Sequence, residues 1–344
     1  MQGGRQRPPT MKDVARRAGV HPSVVSRYMS GDPVLQISDG TRQRVAESVR
    51  EMGYRRNAVA RSLRTSRTRT IGYLIPDLVS PSNKPLIAGA QAAASARDYT
   101  VLIGSADGDD GTAVAFGRLF GEGRVDGLLV NCGVLSDAEV LSLAGGPDPV
   151  VLVNRSVDGA ACSVILDDES AAYLGTSHLT TLGHRYLGHV AGPSLTDTAE
   201  RRSAGFKLAC LAAGAKSGIV SATAWDVQAG YEGGAAILRE HPGVTAIFAA
   251  NVPIGVGVLR AANEIGLAVP RDLSLVAMHD AALASMTSPS ITAVATPLEA
   301  LGALGAERLM ARIDGQRVPE LTVVDHPRPY LIERESTAPP GGQD

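Results

Sequence analysis

The stretch Gly19-Val-His-Pro22 constrains this chain more than any other, because one helical apolar pattern runs up to it and a second starts behind it. Upstream, Thr10 stands where a helix begins, with Asp13 three residues on as a shortened capping box. A side-chain acceptor and a negative charge both suit that end of a helix. Val14, Ala15 and Ala18 follow as one apolar face at helical spacing. Gly19 supplies the turn and His21 takes the next N-cap position. Pro22 then takes the first helical position, where its fixed φ fits and its missing N–H is no loss. Two short helices joined by a tight turn are therefore expected between Thr10 and Gly31. Val25 and Met29, one turn apart, face the first helix and leave Pro22, Ser23, Ser26 and Arg27 outward.

A helix-turn-helix of this size presents the first turns of its second helix to the major groove of DNA, where Arg is the side chain best suited to guanine O6 and N7. The competing reading is an ordinary helical hairpin with a solvated basic face. Local charge favours DNA. Residues 1–70 carry 15 Lys and Arg against 5 Asp and Glu, net +10, while the remainder carries 18 against 30, net −12. A basic head on an acidic body is the electrostatic footprint of a phosphate-binding module. A third helix is expected from Ser38 to about Met52, its Val45, Val49 and Met52 closing a small core, with Gly53-Tyr54 ending it. Asn57-Ala-Val-Ala-Arg-Ser-Leu-Arg64 is a single short amphipathic segment, too short to stand as a helix alone because nucleation is costly.

Thr65–Thr70 is polar and aperiodic and reads as a linker. Beyond it, continuous apolar runs at Ile71–Ile75, Thr100–Ile103, Gly127–Val130 and Val150–Val153 alternate with helical patterns, and the rhythm resumes at Tyr186–Val190, Ala246–Ala249 and Leu273–Val276. Strands buried on both faces look like this, so the body is expected as two doubly wound α/β halves. With 44% hydrophobic residues in 344, the chain has ample material for such cores.

Residues 1–9 are Pro/Gly-rich with Arg5 and Arg7 and lack the apolar segment of a secretory signal. No run approaches the ~18 apolar residues of a membrane span. The expected setting is the cytoplasm, with no membrane partner. Cys132, Cys162 and Cys210 are odd in number and widely spaced without a C-x-x-C, which excludes a disulfide framework and a zinc site and makes each a small buried hydrophobe. No G-x-G-x-x-G follows the first strand and no G-x-S-x-G occurs, so neither a catalytic residue, a cofactor nor a metal is expected. A solute-binding protein of the same body architecture is the main rival to a DNA-binding regulator. The basic module and the absent signal speak against it.

The N-terminal pattern, from the capped helix pair through Gly53-Tyr54 to Leu63, resembles the lactose-repressor/galactose-repressor family of bacterial transcription regulators. The body is similar to that family as well, through Thr180–His184, Gly192-Pro193, Arg202–Phe206, Gly266–Pro270 and Arg334–Thr337. The resemblance implies an N-terminal all-α helix-turn-helix module plus an α/β periplasmic-binding-protein-like body of two doubly wound subdomains, joined by three crossing segments, with an effector in the cleft. It implies a homodimer on pseudo-palindromic double-stranded operator DNA, its paired hinge helices in the minor groove and Leu63 wedged between base pairs, which kinks DNA. The DNA contacts implied are Thr10, His21, Pro22, Ser23, Ser26, Arg27, Tyr54, Arg56, Asn57, Leu63 and Arg64. The effector contacts implied are Ser80, Ser82, Asn83, Asn154, Arg202, Trp225, Asn251, His279, Thr296 and Leu298.

The corresponding divisions are a disordered tail over 1–9, the DNA-binding domain over 10–56, hinge and linker over 57–70, the body over 71–337 and a second disordered tail over 338–344. Within the body, 71–167 with 297–324 form the first subdomain, and 168–291 with 325–337 the second. The Pro-Pro-Gly-Gly run after Ala338 offers no tetramerising helix, so a dimer is expected.

Several positions depart from the family pattern. Val252 stands where an Asp is usual, and His279-Asp280 where the family has an Asp pair whose first carboxylate clamps sugar hydroxyls. Ser80-Pro-Ser-Asn-Lys84 replaces an Asn-Pro-Phe segment. At the DNA end, Arg56 replaces a Pro and Val24 a Thr. An imidazole at 279 can donate where a carboxylate only accepts. With Arg202 as a second donor facing the same space, an anionic or non-sugar effector is expected, held more tightly as pH falls from 8 toward 6, or else a pocket that has lost effector binding.

Overall fold

The computed structural model describes residues 9–54, 67–105, 121–131, 136–144, 149–160, 162–194 and 196–341. The chain divides into one compact unit up to Thr68 and another from Arg69. The first contains α1 (Met11–Ala18), α2 (Pro22–Met29) and α3 (Asp39–Glu51). Thr10 and Asp13 form a complete capping box, with the Asp13 carboxylate accepting from the Thr10 N–H at 2.9 Å. Gly19 ends α1 with φ of 67°, a left-handed conformation that a side chain would strain. His21 Nδ1 then accepts from the Ser23 N–H at 3.3 Å and Pro22 opens α2. Val14, Ala15, Ala18, Val25, Val45 and Tyr54 form the core, with Met29, Val49 and Met52 against it. Arg44 donates to the Ala18 carbonyl at 3.3 Å and so ties α3 to the end of α1. Arg56, Asn57, Leu63, Arg64 and the expected hinge lie outside the described residues, as do Cys132 and residues 1–8 of the tail expected over 1–9.

The second unit holds, in chain order, strands β1 (Thr70–Ile75), β2 (Thr100–Ser105), β3 (Leu128–Val130), β4 (Val150–Val153), β5 (Ser163–Leu166), β6 (Tyr186–Ala191), β7 (Lys216–Ser221), β8 (Ala246–Ala249), β9 (Ser274–Met278), β10 (Thr292–Ala295), β11 (Leu321–Val324) and β12 (Tyr330–Ile332). Its helices are α4 (Asn83–Ser95), α5 (Asp137–Ala144), α6 (Asp168–Thr181), α7 (Asp197–Ala212), α8 (Val227–Glu240), α9 (Val252–Glu264), α10 (Ala282–Met286) and α11 (Leu298–Ile313). The strands form two six-stranded sheets, β11-β5-β4-β3-β1-β2 and β12-β10-β9-β8-β6-β7. All pairings are parallel except that of β10 with β12 at one edge. The chain crosses between sheets between β5 and α6, between β10 and α11, and between β11 and β12.

The seven expected strands are present, within a residue or two of their expected ends; β5, β7, β10, β11 and β12 were not anticipated. β5 and β10 are four-residue runs that begin on Ser or Thr. β7, β11 and β12 lie at sheet edges, where partly exposed side chains break the apolar signal. Because β10 belongs to the second sheet, the second subdomain reaches beyond the expected boundary at 291. The expected tail from 338 is also corrected. The Ala338 carbonyl accepts from His184 Nε2 at 2.9 Å and from the Ser274 hydroxyl at 3.0 Å, so the chain stays bound to the body past Thr337. In the first subdomain α4 and α11 cross closely: a Cβ on Gly89 would lie 1.9 Å from the Glu299 carbonyl oxygen, and one on Gly302 2.0 Å from that of Leu86. Cys162 and Cys210 are buried thiols, as expected.

Candidate functional site

On the first unit, α2 buries Val25 and leaves His21, Ser23 and Arg27 exposed, with Pro22, Val24 and Ser26 half-buried. Arg27 donates through Nε to the Asp32 carboxylate at 2.7 Å. That bond orients the side chain and leaves both terminal nitrogens, the pair that spans guanine O6 and N7. The Thr10 hydroxyl is engaged by Asp13 at 2.6 Å. Tyr54, expected on the DNA face, is 8% exposed and closes the module's core.

In the second unit a cleft lies at the carboxyl ends of both sheets, where open α/β sheets hold ligands. One wall comes from Pro76 and Asp77 after β1, Asn131 after β3, and Asn154 and Arg155 after β4. The other comes from Thr196, Asp197 and Thr198 after β6, Trp225 after β7, Asn251 after β8 and His279 after β9. Asn154 and His279 have φ of 58° and 62°. Left-handed conformations are costly for side chains of this kind and collect at binding sites. The Asn154 Oδ1 is buried without a hydrogen-bond partner among the described residues.

A buried network forms the floor. Arg202, 2% exposed, donates to Asp168 at 2.8 Å, to the Ala250 carbonyl at 2.7 Å and to His279 Nε2 at 2.5 Å. His279 Nδ1 faces the Thr296 hydroxyl at 2.6 Å. With Nε2 accepting from a guanidinium that has no lone pair, the imidazole proton sits on Nδ1 and the ring is neutral. Burial, reinforced by the Arg202 charge, pushes the His279 pKa down to about 3. Burial pushes the Asp168 carboxyl up, but Arg202 and Arg201 together hold it below its ordinary value. Arg201 joins Asp168 at 2.8 Å and also pairs with Asp197. Two bonds link the subdomains here: the Ser156 N–H donates to Asp197 at 2.9 Å, and the Thr198 hydroxyl donates to the Asn154 carbonyl at 2.8 Å.

These contacts correct the expectation of two donors facing one space. Arg202 and His279 bond to each other, which leaves no room between them for an effector, and the imidazole accepts at Nε2 and donates only at Nδ1, toward Thr296. Ser80, Ser82, Asn83, Asn154, Arg202, Trp225, Asn251 and His279 all line the cleft. Thr296 does not line it and instead supports His279 from behind. Leu298, 4% exposed, belongs to the first subdomain's core. Asn251 caps α9, its Oδ1 accepting from the Ile254 N–H at 2.8 Å and its Nδ2 donating to the Trp225 carbonyl at 3.0 Å. One N–H and one lone pair of that amide remain. The sequence reading missed Asp77, Asn131, Arg155, Asp197 and Thr198. The first three directly or almost directly follow a strand, a signal that a systematic search of strand ends would have found.

Residues 10–57 match the family described as bacterial regulatory proteins, lacI family, and residues 176–337 match a periplasmic binding protein-like domain. The HTH-type transcriptional repressor PurR of Erwinia tasmaniensis is 32% identical over 338 residues, covering 96% of this chain and 97% of that protein. A LacI family transcriptional regulator from Mycobacterium smegmatis, whose crystal structure is known, is 35% identical with a TM-score of 0.75, over 78% of this chain and 99% of that one. The lac repressor dimer, solved bound to operator and the anti-inducer ONPF, is 26% identical with a TM-score of 0.82, over 96% of this chain and 100% of that one.

Proposed function

This chain belongs to the LacI family of bacterial transcriptional regulators, and we propose that it is a repressor that binds a pseudo-palindromic operator as a homodimer and answers to a small molecule held in the body cleft. The observation that carries the DNA half is the exposed face at the start of α2, with His21, Ser23 and Arg27 held out by a capped helix pair over its own core. The regulator reading, rather than an enzyme, rests on relatives that are transcription regulators. No helix among the described residues is long and apolar enough to cross a membrane, and the protein acts in the cytoplasm with its DNA. The effector is neutral rather than anionic. The arginines along the cleft are already paired within the protein, Arg202 with Asp168, Arg201 with Asp197 and Arg155 with Asp137 at 2.7 Å, while Asp77 adds a carboxylate without a cationic partner among the described residues, which disfavours an anion. The unpartnered Asn154 Oδ1 asks for a donor, which a hydroxyl or amide supplies.

Selection of bound sequences from random DNA by the full-length protein tests this. A palindromic site should emerge, and Arg27→Ala should weaken it roughly ten- to a hundredfold while binding to random DNA changes little, because Arg27 reads a base. Equal losses on both DNAs, or no enriched sequence, refute the reading.

A further inference from the structure

The cleft continues outward past Trp225. Its inner space, bounded by Asn154, Arg202 and His279, measures about 90 Å³, and the adjoining chamber about 620 Å³. The two share Pro76, Asp77, Ser80, Thr196 and Trp225. A cavity of about 150 Å³ accommodates one benzene, so the inner space takes no more than a small head group. The outer chamber has the size of a ligand site, which typically spans about 300–1,000 Å³ and is mostly apolar with a few orienting polar groups. Pro81, Pro193, Pro253, Val227 and Leu283 give it walls without side-chain hydrogen-bonding groups. Proline also lacks the backbone donor. Val79, at the chamber's rim, is 84% exposed, and Val227 is 37% exposed, so apolar surface stands open to water.

We infer that the effector is an amphiphile, with a small neutral polar head in the inner space near Asn154 and an apolar chain or ring in the outer chamber against Trp225. This rests on the regulator reading above. Among the described residues the buried acceptor without a partner, Asn154 Oδ1, lies at the inner end. The outer chamber's carboxylates, Asp77 and Asp226, accept from backbone N–H groups of their own loops, and apolar side chains make up most of the rest of its wall.

Trp225 is the chain's one Trp, so its emission reports on the chamber directly. The full-length protein is titrated with 1-alkanols from butanol to octanol, and with short polyols and simple neutral sugars, while operator binding is followed in parallel. The expected result is a saturable emission change whose midpoint concentration falls about fourfold per methylene, the equivalent of roughly 0.8 kcal/mol per buried CH₂. Leu283→Asp should weaken octanol about tenfold by placing a carboxylate in the apolar wall. Val79→Asp, at a position too exposed to unfold the body, should act in the same direction. A flat dependence on chain length, tighter binding of a sugar that neither variant alters, or no saturable response to any probe overturns the inference. Intact operator binding in those cases leaves the regulator reading standing, whereas failure to select any operator overturns that reading whatever the alkanols do.

Discussion

Asp168 has no solvent exposure and meets Arg202 and Arg201 at 2.8 Å each. Taking one member from a buried ion pair leaves a charge without compensation. Asp168→Ala should therefore cost roughly 3–5 kcal/mol of the body's stability, read as a lower urea midpoint. An unchanged midpoint would show that Arg202 is solvated some other way. His279 carries the second residue-scale prediction. With its pKa near 3 it stays neutral between pH 8 and 6, so effector affinity should be flat there. A strengthening toward pH 6 would restore an imidazolium that the geometry denies. His189 behaves likewise: burial pushes it down to about 4 despite the bond between Nδ1 and the Phe248 carbonyl at 2.8 Å. Both histidines ordinarily titrate near 6.5, so between that pH and their folded values the unfolded chain binds more protons. Their contribution to stability is full above about 6.5 and is lost as pH falls through 6 toward 4. Urea midpoints at pH 7, 5.5 and 4.5 should decline in that order, and less steeply in His189→Phe.

The turn that leaves β6 and the loop that follows β7 meet at a single point. A Cβ on Gly192 would lie 2.1 Å from the Trp225 ring, so the absence of a side chain at 192 is what lets the indole form the cleft wall. The Arg202 guanidinium stands 5.3 Å from that ring's centroid and steadies it from the floor. Gly192→Ala should displace the indole, shift its emission and weaken effector binding, with operator affinity kept because the DNA-binding module folds on its own core. Wild-type emission in the variant would mean that the backbone yields instead. Asn251 works at the same scale. Its amide caps α9 and holds the Trp225 carbonyl, so one side chain sets both the helix start and the loop.

Across the whole molecule, charge separates the two tasks. Residues 1–70 carry a net charge of +10, so on the proposed reading operator affinity should fall about a thousandfold or more between 50 and 200 mM salt, as counterion release demands. Effector affinity should stay level over that range, because a neutral effector brings no charge for salt to screen. Anisotropy of labelled operator and Trp225 emission measure the two, and a salt-insensitive operator complex would contradict the assignment. The sequence by itself determined the features that rest on neighbours within a few residues. Thr10 and Asp13 form their capping box, Gly19 and Pro22 their turn, and the continuous apolar runs their central strands, because capping, backbone freedom and burial on both faces are each written in a short stretch. The site's residue types were legible too, through resemblance and through their positions after strands. Their roles were not. His279 and Arg202 stand 77 residues apart, and only their meeting at 2.5 Å turned an expected pair of donors into a donor and its acceptor. In the same way Tyr54 and Leu298 became core and Asn251 became a cap. A side chain's chemistry is local, but which of its donors and acceptors are already spent depends on the partners that folding brings to it.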